Sequence, residues 1–446
     1  MSTALAGSPL TGMALDGYAG AFDELMSDAS APASLQSMRR AAFDRFGVLG
    51  FPTTKNEDWH FTSVAPIAEQ EFTLLAARSG NIRREELERF AFGAHDWHTL
   101  VFVNGRYAPE LSESATLPTG VTFCDLATAW TESPSVVNHV VNQVGTIASY
   151  DAHAFTALNT AFMLDGAVLQ IAKDTEVARP IHLLFVTDAV AAKGMMHPRN
   201  LIVVGKHSKA TIIESYVSTS DAMYLTNAVT EVSLGDGATV QHYKLQREGA
   251  RAFHVGTIDV RQARDSHYVS FSFATGAALA RSNVYSTLDG EGSGATLNGL
   301  YMLDGAQHSD HQTQIIHAQP NTFSRELYKA VLDGHSHGVF NGKVYVHPIA
   351  QKTDGKQTNK TLLLSPTAQV DTKPQLEIFA DDVKCTHGAT IGQIDQMALF
   401  YLKSRGIDNA LARRLLTYAF AADVLETLEV DAVREGLERM TLERFV

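Results

Sequence analysis

The chain has 446 residues, of which 45% are hydrophobic and 19% charged, and a formal net charge of −13. That length exceeds one ordinary globular core and calls for several domains or an elongated solenoid, and the composition is that of a folded, soluble chain. The acidic balance argues against nucleic acid or an anionic membrane as partner, and two widely separated cysteines, Cys124 and Cys385, make no disulfide framework and fit a reducing cytoplasm.

The first residues show no basic segment followed by an apolar one, so no signal peptide is expected. No run of ~18 apolar residues predicts a membrane span. Residues 1–150 read as a helical or mixed N-terminal domain. Phe22, Leu25 and Met26 sit at helical spacing, as do Leu35, Met38, Ala42, Phe43 and Phe46. Gly47 and Gly50-Phe51-Pro52 are expected to end that pattern. In the stretch Asn56–Thr62, Trp59 and Phe61 are expected to pack against a neighbouring element. Thr99–Val103 followed by Asn104-Gly105 predicts a strand entering a hairpin turn. Cys124, in VTFCDLATAW, reads as a core residue rather than a ligand.

Residues 151–390 read mostly as β from about Gly166. Short runs rich in Val, Ile, Thr and aromatics follow one another, among them IHLLFVT, NLIVVG, TIIESYV and YVSFSFA. A turn signal recurs at Gly205, Gly235, Arg264 and Gly290, with spacings of 30, 29 and 26 residues. A loose period of that length suggests a parallel β-solenoid with one rung per repeat. A β-sandwich, with turns every 8–12 residues, is the alternative the residues leave open.

Six histidines fall between Met302 and His347: His308, His311, His317, His335, His337 and His347. Imidazole is a common metal ligand, so the cluster invites a metal site. The other reading is a set of hydrogen-bonded histidines in solenoid ladders. Ser324-Arg325-Glu326-Leu327-Tyr328 is expected to place a paired Arg and Glu within a rung.

Near the end of the β region, Leu376, Ile378 and Ala380 alternate with Gln375, Glu377 and Asp381, the period of a half-buried strand. Phe379 breaks the alternation, so the polar face is expected to be partly covered there. If Val383–His387 is extended, Cys385 and His387 share a face, because residues two apart in a strand do. A thiol and an imidazole side by side suit iron or zinc, with further ligands from elsewhere. The alternative is a small buried Cys beside a hydrogen-bonded His.

Residues 391–446 read as a helical C-terminal domain. Asp395 caps a helix Gln396–Arg405 that Gly406 stops, and Asp408 caps a second from Asn409 to about Leu428. That second helix is apolar on two sides. Leu411, Leu415, Tyr418, Ala422 and Leu425 form one stripe, and Leu416, Ala419, Phe420 and Val424 another. Such a helix is either sandwiched in its own domain or offered to a partner. Asp431–Phe445 reads as a charged amphipathic helix.

The run ADDVKCTHGATIGQID followed by LFYLKSRGI resembles the C-terminal signature of the SufB/SufD family of iron–sulfur cluster assembly proteins. Cys385 two residues before His387, then Gly388 and Gly392, are closer to the SufD branch; the SufB branch typically reads H-E-A-T-T-S-K here. The resemblance extends over Leu297–His347 and on to about Leu428. It is weaker at Asn56–Thr62, where His60 replaces a basic residue of the motif, and poor over the rest of the first 150 residues. It implies a mainly β fold, a right-handed parallel β-helix between the two terminal domains. It also implies a non-catalytic scaffold that pairs with a SufB-like paralogue and docks the SufC ATPase.

In the family the cores pair through strands near their C-terminal ends and the C-terminal helices dock the ATPase. That makes Leu411, Leu415, Leu416, Tyr418, Phe420 and Val424 the candidate docking residues. His387 and, less directly, Cys385 become candidate ligands of iron or a nascent cluster, transient and shared with the paralogue. A homodimer of the isolated chain is a further expectation.

What is missing agrees with a scaffold. There is no G-x-x-x-x-G-K-[ST], so no nucleotide is expected on this chain. G-x-S-x-G, H-E-x-x-H and a four-cysteine cluster set are absent too. The competing classes are a β-helix polysaccharide lyase, which is usually secreted, and a His-rich metal-binding protein.

Overall fold

The computed structural model describes residues 13–28, 31–75, 80, 82–93, 96–131 and 141–444. Phe445 and the first twelve residues, on which expectations fell above, lie outside them.

From Arg199 on, each strand pairs in parallel with the strand two positions later. The chain therefore alternates between two sheets, of eleven and ten strands. This is a parallel β-solenoid, and it excludes the sandwich. The recurring turns at Gly205, Gly235, Arg264 and Gly290 each close one rung before the strands that open at Lys209, Thr239, His267 and Gly294. Both sheets present alternate residues inward. Like residues stack from rung to rung: Phe102, Phe185 and Tyr216 form a column with centroids 4.6 and 4.9 Å apart. Each such aromatic pair adds ~0.5–1.5 kcal/mol beyond its buried area.

The N-terminal region joins this scaffold rather than standing beside it. His98–Val103 pairs with Ile181–Thr187 and so extends the ten-stranded sheet. It turns back antiparallel through Asn104 and Gly105, both at positive φ, as the hairpin signal predicts. Helix Ala33–Leu49 runs through Gly47 and ends at Gly50, whose φ is +62°. It packs on the buried helix Ala154–Phe162, with Phe22 and Phe43 stacked at 4.1 Å beside Phe162.

A buried ion pair fixes this region to the solenoid. Arg199 donates to Glu231 at 2.6 Å and to Asn159 and Thr160 of the buried helix, at 3.2 and 3.0 Å. Glu231 in turn accepts the amides of Gly145, Ile147 and Ala148. Trp59 stacks on Phe155 with Arg281 3.7 Å above its ring, the packing role expected of that stretch.

At the other end the chain leaves the solenoid after strand Lys384–Gln393 and forms helices Gln396–Ser404, Asn409–Leu425 and Asp431–Arg444. Asp395 and Asp408 cap the first two, accepting from Met397 and Ala398 and from Leu411. Among the described residues, no helix is long and apolar enough to cross a membrane.

Candidate functional site

Two bare strands end the solenoid: Gln369–Ile378 on one sheet and Lys384–Gln393 on the other. A solenoid that stops without a capping repeat leaves its lumen and its sheet edges open. Leu376, Ile378 and Ala380 turn inward onto Val344, Val346 and Ala350. Phe379 differs from expectation: the strand stops at Ile378, and the ring stands exposed beyond it. With Ile349 and Ile391 it adds exposed apolar surface to this end of the chain.

Lys384–Gln393 is extended throughout, so Cys385 and His387 do share a face. It is the inward one, since their partners Gly355 and Gln357 carry on the buried lumen row. A Cβ on Gly355 would lie 3.3 Å from the Cys385 sulfur, which therefore sits at the lumen mouth. Burial, reinforced by the Asp354 carboxylate, pushes the Cys385 thiol up. A cation would have to displace its proton to bind the thiolate. His387 is exposed at the rim.

Lys384 donates its amide to Thr353 of the neighbouring strand. Backbone groups alternate sides along a strand, so those of Cys385, His387, Ala389 and Ile391 point to the bare edge. Among the described residues, no three His, Cys, Asp or Glu side chains come together as a metal site. Cys385 and His387 stand on one face of the rim strand with no third such group beside them among the described residues.

The six histidines do not converge on one site, although the His308 and His337 rings meet edge to face at 4.8 Å. His311 lies in the lumen, stacked on Tyr301 at 4.3 Å, and His317 bonds Thr322 and Ser324. His308 meets Thr62 at 2.9 Å, and His337 meets Asp371 at 2.8 Å. His335 stands exposed at a turn, and the His347 ring lies 5.0 Å from Tyr345. These contacts fit the ladder reading. Arg325 and Glu326 are not paired with each other. Neighbours in a strand face opposite ways, so Arg325 reaches Asp354 outside at 2.6 Å and Glu326 reaches Gln357 inside.

The helical end offers a second surface. Of the six docking candidates, Leu411 is exposed, and Leu415, Leu416, Tyr418 and Phe420 are half-buried. Phe420 lies over the Lys329 ammonium, which also pairs with Asp423. Val424 is fully buried with Tyr243, Phe273 and Leu300, so it serves the chain's own core. The preceding helix was expected from the sequence, but its apolar face was not counted among the docking candidates. Met397, Phe400 and Tyr401 are 75%, 67% and 57% exposed, and with Leu411 at 38% they are the exposed large apolar residues of these helices. Their i, i+3, i+4 spacing was a visible stripe, obscured because the longer helix beside it was more apolar.

A profile described as the SUF system FeS cluster assembly, SufBD core domain, matches residues 185–420. A SufBD protein N-terminal region profile matches residues 17–183. An iron–sulfur cluster assembly SufBD family protein of Synechocystis is 35% identical over 431 residues, covering 94% of this chain and 92% of that one. Iron–sulfur cluster assembly protein SufD of Escherichia coli is 34% identical, covering 89% of this chain and 88% of its own. SufD of Bacillus subtilis is 28% identical, covering 91% and 93%.

Proposed function

We propose that this chain, which belongs to the SufB/SufD family of iron–sulfur cluster assembly proteins and is SufD-like across its length, acts as a non-catalytic scaffold subunit that supplies part of a cluster-building site. The observation that carries this reading is the bare strand Lys384–Gln393, with Cys385 and His387 on its lumen face. Two ligands hold iron or a nascent cluster only when a second chain brings the rest. A SufB-like paralogue pairing with the open edge would bring them, and would cover the exposed Ile349, Phe379 and Ile391. In its absence the same edge can pair with a second copy of this chain.

The metal is cargo in this scheme. His387 contributes its imidazole across the interface, and Cys385 stands beside it at the mouth. The patch Met397, Phe400, Tyr401 and Leu411 receives the SufC ATPase. Nucleotide-driven closure of two ATPase copies then pulls on the helices and rearranges the core interface, a two-state element biased by nucleotide. Two cysteines without a disulfide framework favour action in a reducing compartment such as the cytoplasm.

The test is His387→Ala in the chain co-expressed with its SufB-like and ATPase partners and purified anaerobically. The complex is expected to assemble normally with reduced iron and acid-labile sulfide. Unchanged iron and sulfide would reject the assignment of His387.

A further inference from the structure

Beneath the mouth, three neighbouring strands of one sheet place Glu326, Gln357 and His387 at matched positions of one inward-facing ladder. Glu326 and Gln357 are buried, and Gln357 Nε2 donates to Glu326 Oε2 at 2.7 Å. The opposite sheet makes room for that amide. A Cβ on Gly342 would lie 2.2 Å from Gln357 Nε2, so only a glycine lets the side chain lie across the lumen there. With the NH2 end committed to the carboxylate, the oxygen end is the one left over. Gln357 Oε1 is buried with no hydrogen-bond partner, and a buried acceptor of that kind is costly to leave unused.

An imidazole that binds a metal through one nitrogen carries its proton on the other, and that N–H needs an acceptor to fix tautomer and ring orientation. His387 stands one strand beyond Gln357 in the same ladder, at the usual strand spacing of about 4.8 Å. We propose that Gln357 is the positioning residue of His387: its Oε1 accepts the imidazole N–H, and Glu326 behind it holds the amide in the orientation that presents oxygen to the rim. This rests on the reading of His387 as a cargo-holding residue.

In its ionised form the Glu326 carboxylate, which can only accept, gives the arrangement its direction. Turning the amide over would set the Gln357 oxygen against the Glu326 oxygens and aim the NH2 at His387. Such an amide donor could pair only with the nitrogen that the metal requires. Glu326 therefore selects which ring nitrogen of His387 is left for iron, although it lies two strands away.

The full chain with 15N-labelled histidine, free of metal and held at pH 8.5 so that Glu326 is ionised, tests this by the imidazole 15N shifts of His387, identified by their loss in His387→Ala. Wild type is expected to favour one tautomer more strongly than a short peptide does. Gln357→Ala should shift the tautomer ratio back by on the order of three- to tenfold, the worth of one hydrogen bond. Gly342→Ala, which displaces the amide without removing it, should do the same. Glu326→Gln should give a smaller shift. A peptide-like ratio in wild type, or an unchanged ratio in either folded Gln357 or Gly342 variant, overturns the proposal. Because the tautomer is read without iron, its outcome is separate from the iron content of the His387→Ala complex.

Discussion

Replacing Glu326 by Gln should change how the stability of the whole chain responds to pH. Burial pushes the Glu326 carboxyl up from 4.5 to about 7, against the opposing hydrogen bond from Gln357. In the unfolded chain the group titrates near ~4.3. Between those values the folded state holds the proton and the unfolded state does not, so stability falls as pH rises. The contribution is fully present below the unfolded value and lost once pH passes the folded one. A shift of that size corresponds to about 3–4 kcal/mol at 1.36 kcal/mol per unit. Gln keeps the shape and an acceptor for Gln357 but cannot titrate. Urea unfolding of both proteins from pH 4 to pH 8.5 is the assay. The two stabilities should converge toward pH 4 and separate toward pH 8, with the variant the more stable by about 3–4 kcal/mol. Curves that stay parallel would refute the claim that a carboxyl is held neutral in the lumen.

Arg199→Met should be strongly destabilising, because it leaves the Glu231 charge buried without its cation; about 3–5 kcal/mol is expected. A loss under ~1 kcal/mol in urea unfolding, the range of a surface ion pair, would show that the joint between the N-terminal region and the solenoid does not depend on it. Phe400→Asp should weaken ATPase capture tenfold or more, on the order of a hot-spot loss, whereas Phe420→Asp should instead lower stability because that ring packs on Lys329. Wild-type affinity for Phe400→Asp, with an intact circular dichroism spectrum, would move the docking surface elsewhere.

The sequence was most informative where the determinant is local. The turn period from Gly205 to Gly290 marks the rungs, and the two-residue spacing of Cys385 and His387 puts them on one face. Asp395 and Asp408 cap the helices that follow them. It was least informative where the partner lies across the fold. The strand Thr99–Val103 was legible as a hairpin arm, yet its place in the solenoid sheet depends on Ile181–Thr187, some eighty residues on. Glu326 was read beside Arg325 because they adjoin in sequence. Its true partner, Gln357, is set by the register of the next strand but one. Val424 and Phe400 were equally apolar in the sequence. Only packing against Tyr243 and Leu300 decides that the first is core and the second is surface.

The strand that carries Cys385 and His387 ends at Gln393, and the helix that carries Met397 and Phe400 begins at Gln396. Only Ile394 and Asp395 lie between, and both are committed: Ile394 is packed with Leu399 and Ala412, and Asp395 is the cap. The junction has no slack. Under the docking proposed above, a subunit that tilted this helix would work a lever whose short arm is the rim strand itself. Lengthening the hinge by a few glycines should therefore uncouple ATP hydrolysis from cluster assembly while leaving both surfaces intact.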